Sequence, residues 1–206
     1  MKLFLSSYRL GNNPGKLAEL FSANKKIAVI PNAMDFADNL QREEHVRQSI
    51  AELKNLGLFP EEMDLRNYFG KQKELEDKLN TFGAVYVRGG NTFILRRAMA
   101  QSGFDGWVKN KNKDKDFVYS GYSAGICILS KTLHGIEFVD DPNIAPEGYK
   151  PEIIWEGLNI VDFILVPHYK SNHPESEMVE NEIKYYIKRN IPFRTLRDGE
   201  VIIQKG

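Results

Sequence analysis

The sequence predicts an α/β protein built on a mostly parallel sheet with helices on both faces. Two observations carry this expectation. Short apolar runs of strand type alternate, along nearly the whole chain, with segments whose apolar residues recur every three or four positions. That alternation is the signature of strand–helix–strand crossovers onto a parallel sheet. In addition, three motifs follow directly on apolar runs: Arg88-Gly89-Gly90-Asn91, Gly121 to Gly125, and Pro167-His168-Tyr169. Ligands of such sheets gather at the carboxyl ends of the strands, so the three motifs are expected to meet along one edge.

Taken in order, "KLFLSSY" (2–8) is a short apolar strand and "PGKLAELFSAN" a helical run. "KIAVIPNA" (26–33) is the second strand. From Asn39 to Asn55 the residues Leu40, Val46, Ile50, Leu53 and Leu56 fall mostly at helical spacing, with Gly57 as the stop. "EMDLRNY" reads as a third strand interrupted by polar residues, and Leu75, Leu79 and Phe82 mark another helix. "AVYVRGG" (84–90) is a strand running into a glycine turn. "NTFILRRAMAQ" is a helix with Asn91 or Thr92 as its cap. "DFVYSGY" and "SAGICILS" form a strand and a short apolar helix. The polar, proline-bearing insertion over about 131–151 is the longest loop, of a length expected to be functional or mobile. "DFILVPHY" is a further strand, and Ser176 to Asn190 puts Val179, Ile183, Tyr186 and Ile187 on one helical face. "FRTLRDGEVIIQKG" reads as two short strands around a hairpin turn at Asp198-Gly199.

A chain of 206 residues fits one domain spanning 1–206, large enough to bury a core without covalent staples. Lys+Arg and Asp+Glu are each 28, so neither a basic nucleic-acid footprint nor an acidic tail is expected. The single cysteine, Cys127, rules out an internal disulfide and fits a reducing, cytoplasmic setting. No stretch approaches the ~20 apolar residues of a membrane span, so no membrane partner is expected.

Ser123 sits at the centre of "GYSAG", a G-x-S-x-G pattern between a strand and a helix. Such a turn pushes its apex residue into a strained, exposed position, and the flanking glycines let the backbone cross itself. A serine hydroxyl becomes a nucleophile only with a base to take its proton and donors for the resulting oxyanion. The amide of Ala124, at a helix start, is one expected donor, and the Gly89-Gly90 turn allows a second by close backbone approach. The pattern alone also fits a tight turn without chemistry; its strand-to-helix setting and the second glycine turn favour chemistry.

The base should be a histidine. His45 lies in the charged segment "REEHVRQ" and reads as a solvated surface residue. His134 precedes a glycine in the insertion and reads as a loop residue, and His173 precedes a proline at the start of the last long helix. Only His168 follows an apolar strand at its carboxyl end. For the acid that orients the imidazole, Asp198 competes with the Asp140-Asp141 pair; each lies in a turn that local chemistry alone explains, and the residues leave the choice open. Cys127, one helical turn past Ser123, reads as a small core residue. No cysteine or histidine spacing resembles a zinc site, and neither H-E-x-x-H nor a P-loop occurs, so no metal or cofactor is expected.

In combination and in this order, "VRGGNTF", "GYSAG", "VPHY" and "LRDG" resemble the peptidase E family of serine peptidases, which includes aspartyl dipeptidases and the more distant cyanophycinases. The resemblance covers nearly the whole chain. It implies a sheet of the class I glutamine amidotransferase type, with serine where amidotransferases carry cysteine, and a small peptide as substrate. Carried to matching positions, it implies Ser123 as nucleophile, His168 as base, Gly90 and Ala124 as oxyanion donors and Asn91 beside the site. The "LRDG" match points to Asp198 as the acid, whereas a second assignment within the family would fall on Asp140 or Asp141. Two departures bear on specificity. Arg88 stands where relatives often have a further glycine, and "KSNHPESE" after His168 lacks the arginine expected of aspartyl dipeptidases. Arg88, at the strand end beside the glycine turn, is then the candidate for holding an Asp side-chain carboxylate, with Lys170 and His173 as weaker substitutes and an Asp-X preference weaker than in aspartyl dipeptidases and dependent on Arg88; it reads equally as a lone arginine paired with a surface acid. An esterase of the α/β-hydrolase type and a non-catalytic module of amidotransferase-like fold are the competing readings.

Overall fold

A computed structural model describes residues 1–205. The strands are β1 (Lys2–Ser6), β2 (Lys26–Ile30), β3 (Phe59–Glu62), β4 (Ala84–Val87), β5 (Val118–Tyr122), β6 (Ile164–Val166), β7 (Phe193–Thr195) and β8 (Val201–Gln204). Six of them form one sheet in the order β3-β2-β4-β5-β1-β8, in which β8 alone runs antiparallel, against β1. Because side chains alternate across a strand, Ile27, Val29, Ala84 and Tyr86 pack on one face with Leu17 of α1 (Gly15–Ala18) and Leu53 of α2 (Asn39–Asn55). Ala28, Ile30, Val85 and Val87 pack on the other with α3 (Gln72–Leu79), α4 (Thr92–Ser102) and α5 (Phe104–Lys111). Strands buried on both faces explain the near-continuous apolar runs of the sequence, and the predicted α/β class with its mostly parallel sheet is the one observed.

Three local expectations are corrected. The third strand is Phe59–Glu62, not "EMDLRNY", whose Leu65–Tyr68 forms a single 3-10 turn started by Asp64, which accepts from the Arg66 amide at 3.0 Å. β3 pairs only with β2 and, as a partly exposed edge, carries no alternating apolar pattern. The helical run after β1 is shorter than its periodicity suggests, four residues only. The two C-terminal strands do not form a hairpin. β7 pairs in parallel with β6 as a separate two-stranded sheet, β8 adds to β1, and Asp198-Gly199 turns the chain from one sheet to the other. Turn residues specify a reversal of direction; they do not specify which strands it joins.

The 131–151 insertion contains a 3-10 turn at Ile136–Phe138 and is fastened to α4 by Arg97, which is 1% exposed. Its guanidinium donates to the carbonyls of Pro142 (2.8 Å), Pro151 (2.9 Å), Glu152 (3.1 Å) and Ile144 (3.3 Å). A charged donor is worth about 1.5–3 kcal/mol per buried hydrogen bond, and the freed carbonyls recover part of this from water. Arg97→Met should therefore cost about 3 kcal/mol in urea unfolding, with amide exchange rising first over 140–152. Unchanged exchange in that segment would mean that the loop is held by other contacts.

Candidate active site

The carboxyl ends of β4, β5 and β6 converge, as the parallel order requires. β5 ends at Tyr122 and α6 (Ala124–Cys127) begins at Ala124, leaving Ser123 alone to make the turn at φ 49° and ψ −124°. Its carbonyl accepts from the amides of Ile126 and Cys127, and its side chain caps nothing. The glycines of the motif are there for contact as well as turning. A Cβ on Gly125 would sit 2.1 Å from the Val87 carbonyl oxygen. Gly90, at φ 139°, passes so close to the 3-10 turn Asn32–Met34 after β2 that a Cβ would stand 2.3 Å from the Ala33 oxygen. This packing draws the Gly89-Gly90 turn against Ser123.

His168, just past β6, is 1% exposed and also has a positive φ, 60°. Among the described residues six non-glycines have positive φ, and three of them, Arg9, Ser123 and His168, line one cavity of about 140 Å³ together with Gly89, Gly90 and Arg88. Strain of this kind persists only where the surrounding structure enforces it. The ring of His168 has its Nδ1 2.7 Å from Asp198 Oδ1. Ser7, just past the end of β1, binds this pair together. Its Oγ accepts from the His168 amide at 2.8 Å and lies 2.8 Å from Asp198 Oδ1. Ser171 Oγ accepts from the Asp198 amide at 2.8 Å.

The structure thus brings Ser123, His168, Gly90 and Arg88 to one cavity and joins Asp198 to His168. Among the described residues neither Asp140 nor Asp141 hydrogen-bonds the ring, although Asp140 lines the small chamber beside it. Asp140 Oδ2 accepts from the Thr92 amide at the start of α4, and Asp141 accepts from Asn143. Asn91 is the α4 cap. Its Oδ1 accepts from Phe93 and Ile94, and its Nδ2 donates to the Asp141 carbonyl, so its side chain is engaged in the fold rather than turned to the cavity. Ala124 and Cys127 lie under the turn, lining a smaller chamber of about 20 Å³ that also touches Ser123 and His168. The buried Cys127 thiol is raised well above its ordinary pKa by desolvation.

Two histidines sit differently from their sequence readings. His45 is half-buried and lines the larger cavity instead of lying free on the surface. His173 stacks on His168 with ring centres 3.7 Å apart, and Tyr8 packs its edge against both. His134 is exposed and stacks on Trp155, as a loop residue can. Burial first, then His173, pulls the His168 pKa below its ordinary 6.5, against the opposing pull of Asp198. Glu175 was not singled out in the sequence. Burial raises its carboxyl to about 7, with Asp140 and Asp198 adding to the rise. His168, His173 and Glu175 offer donor atoms within 4.8 Å of one another and could hold a metal ion, in a spacing (H-x4-H-x-E) outside the familiar zinc patterns.

Fold and cleft together define an α/β protein with a candidate catalytic cleft at the carboxyl ends of its parallel strands. The model of Peptidase family S51 matches residues 10–206, and the chain belongs to that family of peptidases. An uncharacterized peptidase of Pasteurella multocida is 27% identical over 202 residues, covering 91% of this chain and 93% of the relative. A probable alpha-aspartyl dipeptidase of Drosophila melanogaster is 27% identical over 136 residues, covering 64% of this chain and 53% of that one. A solved structure of a candidate peptidase E from Listeria monocytogenes superposes with a TM-score of 0.75 at 26% identity, covering 98% of this chain and 97% of the other. These matches agree with the predicted amidotransferase-like sheet and with the resemblance found in the motifs.

Proposed function

We propose that this peptidase is of the serine type and hydrolyses short peptides through an acyl-enzyme on Ser123. The observation that carries the reading is the strained Ser123 facing the same cavity as His168, whose Nδ1 is held by Asp198. His168 Nε2 takes the Ser123 proton as the hydroxyl attacks the scissile carbonyl. It then returns that proton to the leaving amine, and a second round with water releases the acyl group. Asp198 fixes the ring and stabilises its charged form. The amides of Gly90 and Ala124 receive the oxyanion, with Asn91 setting the start of α4 behind them. Arg88 receives a substrate carboxylate. Among the described residues no helix is long and apolar enough to cross a membrane; the single cysteine is what favours a reducing, cytoplasmic setting for the enzyme.

A fluorophosphonate probe tests this. It should label Ser123 alone and abolish hydrolysis of a dipeptide panel in proportion to labelling. Peptide hydrolysis that survives full labelling would overturn the serine mechanism, and turnover of short acyl esters without any dipeptide would favour an esterase. The electrostatics add a pH test. The base must be neutral to accept a proton, so kcat/KM falls as pH drops through the His168 pKa. That acid limb should have its midpoint below 6.5. His173→Ala removes one cause of the depression and should move the midpoint upward; a downward move would show that another group controls the limb.

A further inference from the structure

The two cavities lined by Ser123 and His168 differ in the other groups that line them. The larger is lined by Arg9, Arg88, His45 and His173. Arg88 is 4% exposed and donates through Nη2 to Tyr122 Oη at 2.6 Å, while its Nε and Nη1 have no partner among the described residues. A buried guanidinium with two idle N–H groups is costly unless an anion completes it. The smaller chamber is lined by Asp140, Glu175 and Glu182 and by no lysine or arginine. Glu182, 3% exposed, accepts from the Tyr186 hydroxyl at 2.8 Å, and Glu175 borders both cavities with its Oε2 3.9 Å from His168 Nε2. Burial raises Glu182 to about 8, which an added cation would reverse. About 20 Å³ is room for one water-sized group, such as an ammonium.

Resting on the serine-peptidase reading above, we propose that the site reads both ends of a zwitterionic dipeptide. Arg88 takes the free carboxylate of the leaving residue, and the Glu175–Glu182 chamber takes the free α-ammonium of the acyl residue. In a dipeptide each charge lies one Cα from the scissile amide, so both must sit beside Ser123, and each cavity touches Ser123. The reverse orientation would set a carboxylate among three acid groups, which it would hold in their neutral form, and an ammonium beside the unpartnered N–H groups of Arg88. The polarity also decides what Arg88 does: it serves the C-terminal carboxylate and leaves an aspartate side chain on the acyl residue without an arginine.

The test is kcat/KM for a panel of neutral dipeptides in four forms: free, N-acetylated, C-amidated and doubly capped. Charge-assisted pairs predict that each cap lowers the wild-type value roughly 10- to 150-fold. In Arg88→Met the free-acid to amide ratio should fall to near one while the penalty for acetylation persists; in Glu175→Gln the penalty for acetylation should shrink instead. Asp-X should be cleaved no better than Asn-X. Capped and free peptides cleaved alike, or an Asp-X preference that depends on Arg88, would overturn the proposal. Fluorophosphonate labelling of Ser123 and hydrolysis of an uncharged acyl ester separate the two layers. If both occur and caps have no effect, only the end-reading fails. If Ser123 is not labelled and no free dipeptide is cleaved, both fail.

Discussion

Ser123→Ala should lower peptide hydrolysis by about 10⁶, the loss seen when a triad nucleophile is removed from an otherwise intact site. The fold should survive. The Ser123 side chain caps no helix, and alanine at φ 49° bears no more strain than serine. His168→Ala should be nearly as damaging, because in the proposed mechanism nucleophile and base act as one device. His134→Ala should leave turnover unchanged, since that ring stacks on Trp155 and lines neither of the two cavities at Ser123. Thermal unfolding measured beside kcat separates lost chemistry from lost structure. A well-folded Ser123→Ala protein with near wild-type turnover would end the acyl-enzyme mechanism.

The next largest effect falls on the acid. Asp198→Asn preserves shape but replaces an acceptor of the His168 Nδ1 proton with an amide, which permits the wrong tautomer; losses reach about 10⁴ in such a variant. The geometry is specific: Asp198 Oδ1 is 2.7 Å from Nδ1, whereas Asp140 is spent on the Thr92 amide and Asp141 on its own turn. Asp141→Asn should cost less than tenfold. Single-turnover rates with a chromogenic dipeptide would settle the ranking, and an Asp198→Asn rate within tenfold of wild type would move the orienting role to another residue.

What the sequence made legible depended on how local the cause was. β1, β2, β4 and β5 are central strands, and burial on both faces writes itself as an apolar run. The elbow at Ser123 was readable because strand, glycines and helix are neighbours in the chain. β3 was misplaced because an edge has only one neighbour to satisfy. α5 was missed although Phe104, Trp107 and Val108 stand at helical spacing and are buried. Arg88 was noticed for its position, but its contact with Tyr122 follows from parity, since 86, 88 and the facing Tyr122 share one side of the sheet. His173 and Glu175 looked like the approach to a helix. Their stacking on and packing against His168 arise from tertiary contacts that no local window contains.

The pairing of β6 with β7 has a kinetic meaning. His168 and Asp198 are 30 residues apart and ride on one small βαβ unit crossed by α7 (Ser176–Arg189), while Ser123 belongs to the large sheet. Ser7, 161 residues before His168 and 191 before Asp198, ties the unit to the strand β1, beside the bonds of Leu165 to Ser130 and Cys127. Closures over such separations carry a high entropic cost and come late in folding. On the proposed mechanism, a chain in which this unit has not yet docked carries its serine without its base, and peptide cleavage waits on that docking.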